Sequence, residues 1–263
     1  MKIATWNVNS VRTRKDQILQ WLAENPVEVL CLQETKVVDE DFPRTPFEEI
    51  GYHLNVFGQK AYNGVAIFSR EPLENVKSGF SAVIDTETAQ EFDQQKRVIL
   101  GTLKQVQIVN LYVPNGESIT SPKYSYKLNW FKLLKEYLET LLQETDSLCI
   151  CGDFNIALED RDIHDSTGRE KHIMASDEER QALRDILDLG LADAFRKFTP
   201  DPGHFSWWDY RAASFRRNRG WRIDHHYLTP SLYEKAVSCT IDKTPRTWEK
   251  PSDHTPVVLE LNV

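Results

Sequence analysis

Polar residues of one chemical kind recur where apolar runs end. Asn7 closes Ile3-Ala4-Thr5-Trp6, Glu34 closes Leu30-Cys31-Leu32-Gln33, and Asp153 and Asn155 follow Leu148-Cys149-Ile150-Cys151. Asp224 follows Trp221-Arg222-Ile223, and Asp253-His254 precede Pro256-Val257-Val258-Leu259. Any one of them is explained by a turn or a cap, where Asn and Asp are common. Five such ends need a common cause, namely strands that deliver acid, amide and imidazole to one rim of a sheet. Carboxylate and amide oxygens suit a hard cation, magnesium with manganese as a substitute, which keeps several waters and binds a substrate phosphate directly. The set lacks the Cys and His richness of a zinc centre. Neutral Asn side chains can donate to phosphate oxygens without like-charge repulsion. A histidine can donate to a pentacovalent oxyanion or move a proton.

The net charge of −8, taken alone, argues against a nucleic-acid partner. Clustering matters more than the sum. Arg211, Arg216, Arg217, Arg219 and Arg222 fall in one stretch without an acid. Phe215 and Trp221 interleave them, and Trp207, Trp208 and Tyr210 come just before. A merely solvated basic face has no use for large rings, so the stretch reads as a face for an anionic partner.

The frame that would position these groups is rich in strands. Residues 2–8 alternate, and Asn9 or Ser10 then caps a helix with apolar residues at Val11, Ile18 and Leu22. Residues 27–32 read as a buried strand, and short strands are expected at 52–57, 65–69, 97–104 and 106–113, the last two a hairpin around Lys104-Gln105. Residues 122–143 give the strongest helix, with Pro122 in its first turn and a stripe of Leu128, Phe131, Leu134, Leu138 and Leu141. A core strand at 148–151 runs into Gly152-Asp153-Phe154-Asn155. A second helix opens at Ser176 with a capping box to Glu179 and ends near Gly190. Strands follow near 223–228, 235–241 and 256–261. Many strands and few helices fit two packed sheets covered by helices.

With 263 residues, 40% hydrophobic and 27% charged, the chain is ordinary globular material. No linker or low-complexity tract divides it, so residues 1–263 are expected to form a single domain. No apolar run reaches the roughly 20 residues of a membrane span. The strand beginning at Lys2 leaves no room for a signal peptide. Cys31, Cys149, Cys151 and Cys239 sit in apolar stretches, as reduced core residues of a cytoplasmic protein do. Cys149-x-Cys151 lacks a second Cys or His pair at zinc spacing. A monomer is expected.

The segments ATWNVNSVR, LCLQETK, YNGVAIFSR, LYVPNGES, CGDFNIA, FSWWDYR, NRGWRID and KPSDHTPV resemble, in order and over essentially the whole chain, the exonuclease III family of abasic-site endonucleases. That family lies within the endonuclease/exonuclease/phosphatase group, with deoxyribonuclease I, inositol polyphosphate phosphatases and neutral sphingomyelinases. QET, GDFN and SDH point to the larger group, and YVPNGES, FSWWDYR and GWRID to its DNA-repair branch. The resemblance implies a four-layered α/β sandwich of the deoxyribonuclease I type, with two mostly antiparallel sheets flanked by helices and the site at one end. It implies magnesium-dependent hydrolysis 5′ to an abasic site in double-stranded DNA, leaving a 3′-hydroxyl and a 5′-deoxyribose phosphate. Exonuclease and 3′-phosphatase activities at the same site are implied as well.

The resemblance also implies a role for each of these residues. Glu34 is the principal metal ligand, helped by Asn7, with Asp253, Asp153, Asn155 and His254 around the metal. Asp153 orients or deprotonates the attacking water, and Asn155 binds a phosphate oxygen and holds Asp153. His254 donates to the scissile phosphate, with Asp224 fixing its ring. Tyr112 lies against the phosphate or leaving group, and Asn115 contacts backbone phosphate. Trp207, Trp221 and Ile223 line a pocket for a flipped-out sugar, Ile223 being equally readable as core, and Arg211 meets DNA.

Three places depart from the family pattern. Asn63 stands where many bacterial members have His, His225-His226 replace an apolar or aromatic pair, and GREKHIMAS (168–176) replaces an Asn-rich loop, leaving phosphate contacts from Arg169 and Lys171 open. A relative acting on lipid or inositol phosphates is the nearest alternative, and YVPNGES and the Trp/Arg segments count against it. A catalytically inactive DNA-binding module would have lost Glu34, Asp153 or His254, and all three are present.

Overall fold

The computed structural model describes all 263 residues. In chain order the strands are β1 (Lys2–Asn7), β2 (Val29–Gln33), β3 (His53–Phe57), β4 (Val65–Ser69), β5 (Glu74–Ser78), β6 (Val98–Leu103), β7 (Val106–Tyr112), β8 (Leu148–Asp153), β9 (Ala192–Asp193), β10 (Asp224–Leu228), β11 (Ala236–Ile241) and β12 (Val257–Leu261). The helices are α1 (Val11–Glu24), α2 (Thr45–Glu49), α3 (Glu87–Asp93), α4 (Pro122–Leu142), α5 (Asp177–Leu187), α6 (Ala194–Phe198) and α7 (Pro230–Lys235).

The runs that are apolar throughout become central strands. Every residue of β2, β4, β8 and β10 is buried, as expected of strands covered on both faces. One sheet has the order β11-β12-β1-β2-β4-β3, the other β5-β6-β7-β8-β10-β9. Each is antiparallel except for one parallel pair, β1 with β2 and β7 with β8. A helix, α1 or α4, lies in the crossover of each parallel pair, so the strands of a pair end on the same side.

Ile3, Cys31 and Ile67 of the first sheet meet Ile108, Cys149 and Cys151 of the second in the core between the sheets. Outside the first sheet, α1 lays Val11, Ile18, Trp21 and Leu22 against Leu30 and Phe68. Outside the second, α4 and α5 lay Phe131, Leu134, Leu138, Leu183 and Ile186 against Val109 and Ile150. Each fully buried Leu or Ile contributes about 1.5–3 kcal/mol to holding these layers. The expected four-layered sandwich is therefore the fold. A polar bridge also crosses the inter-sheet core. Gln33 Nε2 donates to Asn110 Oδ1 at 2.7 Å, and Asn110 Nδ2 donates to the carbonyls of Leu32 and Ala66, each at 2.9 Å.

Local signals explain the element boundaries. The Ser176 and Glu179 side chains cap α5 reciprocally, and Gly190 past its end has φ 99°. Lys104 and Gln105 both adopt positive φ, the turn that the twist of a two-residue hairpin favours. In the α4 stripe Leu128 is only half-buried, while Phe131, Leu134, Leu138 and Leu141 are buried. The edge strand β5, with sequence ENVKS, escapes the pattern reading because its exposed residues carry no apolar period. The short helices α2, α3, α6 and α7 escape it too, being too brief for a period to show.

Candidate active site

Register brings the polar strand ends together. Parallel pairing sets Asn7 beside Gln33, with Glu34 next in the chain, and Tyr112 beside Asp153. Antiparallel pairing sets Asp224 on the other side of Asp153. Glu34 and Asn155 leave their strands with φ of 56° and 49°, a backbone that non-glycine residues hold only when their surroundings fix it. Gly152 is required where it stands. Its φ is 142°, and a Cβ there would lie 2.0 Å from the Leu111 carbonyl oxygen. A cavity of about 240 Å³ opens on this rim, lined by Asn7, Glu34, Tyr112, Asp153 and His254 and flanked by Met174 and Trp207.

Asp153 is the hub. Asn7 Nδ2 donates to its Oδ2 at 2.9 Å and also to Glu34 Oε2 at 3.0 Å, joining the two sheets at the site. The Asn155 backbone N–H donates to Asp153 Oδ1 at 2.9 Å, and Asn155 Nδ2 lies 3.3 Å from Oδ2. His254 Nε2 stands 3.6 Å from Asp153 Oδ2, and its Nδ1 contacts the Asp224 oxygens at 2.9 and 3.1 Å. Ser206 Oγ accepts the backbone N–H groups of Ile223 and Asp224 and donates to Asp224 Oδ2 at 2.6 Å. On the other flank, Asp253 accepts from Asn9 Nδ2 at 3.1 Å and Trp207 Nε1 at 2.9 Å.

Burial and pairing set the charges. Burial pushes the Asp153 carboxyl up, against the lowering pull of His254. Burial disfavours the His254 imidazolium, but the carboxylates of Asp224 and Asp153 outweigh it and raise that pKa. Asp253 is the converse: burial raises it, yet His254 and the Trp207 bond leave it lowered. Tyr112 is held well up by burial and by Glu34, so its phenol stays protonated.

The rim fits a hard cation. Lys36 Nζ lies 2.9 Å from Glu34 Oε1 and 2.6 Å from Asn9 Oδ1, so an ammonium already occupies the edge of this oxygen cluster. Asp153, Asp224 and His254 also bring ligand atoms within 4.8 Å of one another. The Asp224 oxygens and His254 Nδ1 are spent on each other, however, so that trio is a relay and not a cage. The other oxygens at the cavity belong to Glu34, Asn7 and Asp153, whose chemistry suits magnesium or manganese better than zinc.

The profile of the Endonuclease/Exonuclease/phosphatase family matches residues 4–254. The chain belongs to this family. Exodeoxyribonuclease III of Haemophilus influenzae is 35% identical over 99% of this chain and 100% of its own. Two solved structures are each 40% identical with full coverage of both chains: the 3′ phosphatase NExo from Neisseria bound to a product DNA hairpin, at TM-score 0.94, and an AP endonuclease from Archaeoglobus fulgidus, at 0.92. As a member of this family the protein is a nuclease of the exodeoxyribonuclease III type.

For this Endonuclease/Exonuclease/phosphatase chain the structure gathers Asn7, Glu34, Tyr112, Asn115, Asp153, Asn155, Trp207, Asp253 and His254 at the cavity, with Asp224 directly behind His254. Both Asn155 Nδ2 hydrogens are engaged, by Val113 O at 2.9 Å and by Asp153, and its Oδ1 accepts from Asn115 at 3.1 Å. Asn155 thus holds Asp153 and has no spare N–H for phosphate. Trp221 stands behind Trp207 with ring centroids 6.5 Å apart, edge to face. Ile223 is buried in a cluster with Met174, and Met174 faces the cavity in its place. Arg211 lies outside the cavity, paired with Asp209 at 2.7 Å.

The basic stretch needs a correction. Arg222 is fully buried, bonded to Asp162 and to Asp193, each at 2.7 Å, because its partners come from remote parts of the chain. Phe215 packs edge to face on buried Trp208 at 5.0 Å, so that ring anchors the loop. Arg216, Arg217 and Arg219 remain exposed. Arg169 bonds Asp160 and Asp177 at 3.0 and 2.6 Å and pins its own loop. His225 is core: Arg222 donates to its Nδ1 at 3.0 Å, and its Nε2–H reaches the Ile156 carbonyl at 2.8 Å. Sequence reading missed Asn9, Lys36, Lys127, Met174 and Ser206. Only Lys127 carried a usable signal, a lysine on the apolar face of α4 between Tyr124 and Phe131.

Proposed function

We propose that the protein hydrolyses the DNA backbone 5′ to an abasic site in duplex DNA, leaving a 3′-hydroxyl and a 5′-deoxyribose phosphate. It does so as a cytoplasmic monomer built as one domain over residues 1–263, and the same site removes 3′ nucleotides and 3′ phosphates. The observation that carries this reading is the line Asp224–His254–Asp153 at the base of a small cavity whose large rings are Tyr112 and Trp207. Asp153, raised by burial, takes the proton of the attacking water. His254, held as imidazolium, donates from Nε2 to a non-bridging phosphate oxygen. Asn7 and Asn155 keep the Asp153 carboxylate aimed, and the Tyr112 phenol donates beside Glu34. Magnesium held by Glu34 and Asn7, near Asp253, would act as a Lewis acid on the phosphate and the departing 3′ oxygen. Arg216, Arg217 and Arg219, with Arg12 and Lys123, would meet flanking phosphates.

A second reading, a 3′-end-processing enzyme that cuts abasic sites poorly, is favoured by one observation. Met174 covers Ile223 and takes part of the apolar wall that a flipped sugar would use. End-labelled duplexes carrying an abasic analogue, no lesion or a 3′ phosphate, with and without magnesium, separate the two. Magnesium-dependent cutting 5′ to the analogue supports the first. Release of 3′ phosphate with an uncut analogue supports the second. Cleavage of an inositol phosphate with all three duplexes intact overturns both.

A further inference from the structure

Lys127 and Glu179 form an ion pair at 2.6 Å in which both side chains have zero exposure. Neither belongs to the cavity wall. A buried pair is a poor source of stability, since desolvation consumes much of the attraction. What it contacts is more telling. The lysine ammonium has three donors, and here all three are spent: on Glu179 Oε1, on the Asn155 carbonyl at 2.8 Å and on the Asn115 carbonyl at 3.1 Å. Those carbonyls belong to the two asparagines whose side chains meet at the cavity rim. Glu179 Oε1 also accepts the Met174 N–H at 3.0 Å, and its Oε2 accepts the Ser176 N–H at 3.1 Å. Three cavity-lining segments, two of them with positive φ at Asn155 and Met174, thus hang on one ion pair. Gly116 rests on the same stem, where a Cβ would come within 3.2 Å of Lys127 Cδ.

We propose that Lys127 and Glu179 are a positioning pair: together they fix the Asn115, Asn155 and Met174 segments around the reacting phosphate. Asn155 aims Asp153 through two contacts, so slack in its carbonyl turns the carboxylate out of line. Misplacement of this kind slows the chemical step more than it loosens DNA. The inference rests on the nuclease reading above for its reaction, though not for its geometry.

The test uses K127M/E179Q, which removes both charges while keeping side-chain length and the acceptor for Ser176. Turnover and KM are measured on the abasic and 3′-phosphate duplexes, beside a melting curve and hydrogen exchange of residues 113–117 and 153–157. The expected result, at a temperature where the variant is fully folded, is a kcat lower by roughly tenfold or more with KM changed less than about threefold. Exchange should quicken in those two segments while β1 and β2 keep the parent rate. A kcat within about threefold of the parent, or unchanged exchange in both segments, overturns the proposal. If the double variant does not fold, E179Q alone is read by the same measures for a smaller change in the same direction. If the parent cuts none of the duplexes, the nuclease reading fails by itself, and the exchange rates still decide whether the pair holds the segments.

Discussion

Replacing Asp224 with asparagine tests the relay most directly. Ser206 Oγ accepts two backbone N–H groups, so its one hydrogen must go to Asp224 Oδ2. The amide of D224N must therefore keep its oxygen toward Ser206, where it still accepts from His254 Nδ1 at 2.9 Å, while the charge is removed and an NH2 replaces Oδ1. A hydrogen bond to a charged group is worth about 1.5–3 kcal/mol, and one pKa unit is about 1.4 kcal/mol, so the His254 imidazolium should lose roughly one to two units. With its proton gone from Nε2 and Nδ1–H turned to residue 224, the ring has nothing to donate to phosphate. In the parent, kcat/KM should therefore rise as Asp153, pushed up to about 7, loses its proton, and fall again only well into the alkaline range, where the raised His254 pKa lies. In D224N the alkaline limb should move down by about one to two pH units. The assay is kcat/KM on the abasic duplex across roughly pH 6 to 11 at constant ionic strength, a range that brackets the alkaline limb, set by a His254 pKa of about 10. An alkaline limb that stays in place would refute the claim that Asp224 holds a charged imidazole.

D153N should lower kcat by about 10²–10⁴ with DNA affinity retained, because an amide of the same shape cannot take the proton; filter binding beside turnover checks it. EDTA should abolish cutting and magnesium restore it, and E34A should raise the magnesium concentration needed for half-maximal rate, measured by titration. Stability should fall as pH drops below the ordinary histidine range. Burial lowers His225 to about 4 and His226 to about 3, so between that range and pH of about 4 the unfolded chain binds more protons. Each ring then costs up to about 1.4 kcal/mol per pH unit, and in urea melts the stability difference between the parent and H226L should be constant at neutral pH and shift in the variant's favour on acidification.

What the sequence made legible is the placing of groups on strands, because a period-two or continuous apolar run announces a strand and its end announces the rim. Asn7, Glu34, Asp153, Asp224 and Asp253-His254 all stand at such ends, and pairing register then does the rest. What stayed hidden depends on contacts between distant parts of the chain. Arg222 reads as one more arginine in a basic stretch until Asp162 and Asp193 are brought beside it. Ser206 looks like any hydroxyl before an aromatic pair, and nothing local says that its oxygen ties Asp224 in place. Ile223 and Met174 exchange places for a similar reason. Met174 faces the cavity from a loop with positive φ, a conformation that sequence periodicity does not encode.

The amide bridge between Gln33 and Asn110 sits one step behind Glu34 and two behind Tyr112. An apolar interface sets the thickness between two sheets but is nearly indifferent to sliding, since one aliphatic contact replaces another. Amides are not indifferent: shifting the sheets by one residue would strand the Asn110 hydrogens away from the Leu32 and Ala66 carbonyls. The bridge therefore acts as a dowel. It aligns two half-sites, Asn7 and Glu34 on one plate, Tyr112, Asp153 and Asp224 on the other. Loops around the rim can then change length or composition to suit a different lesion without realigning the reacting groups.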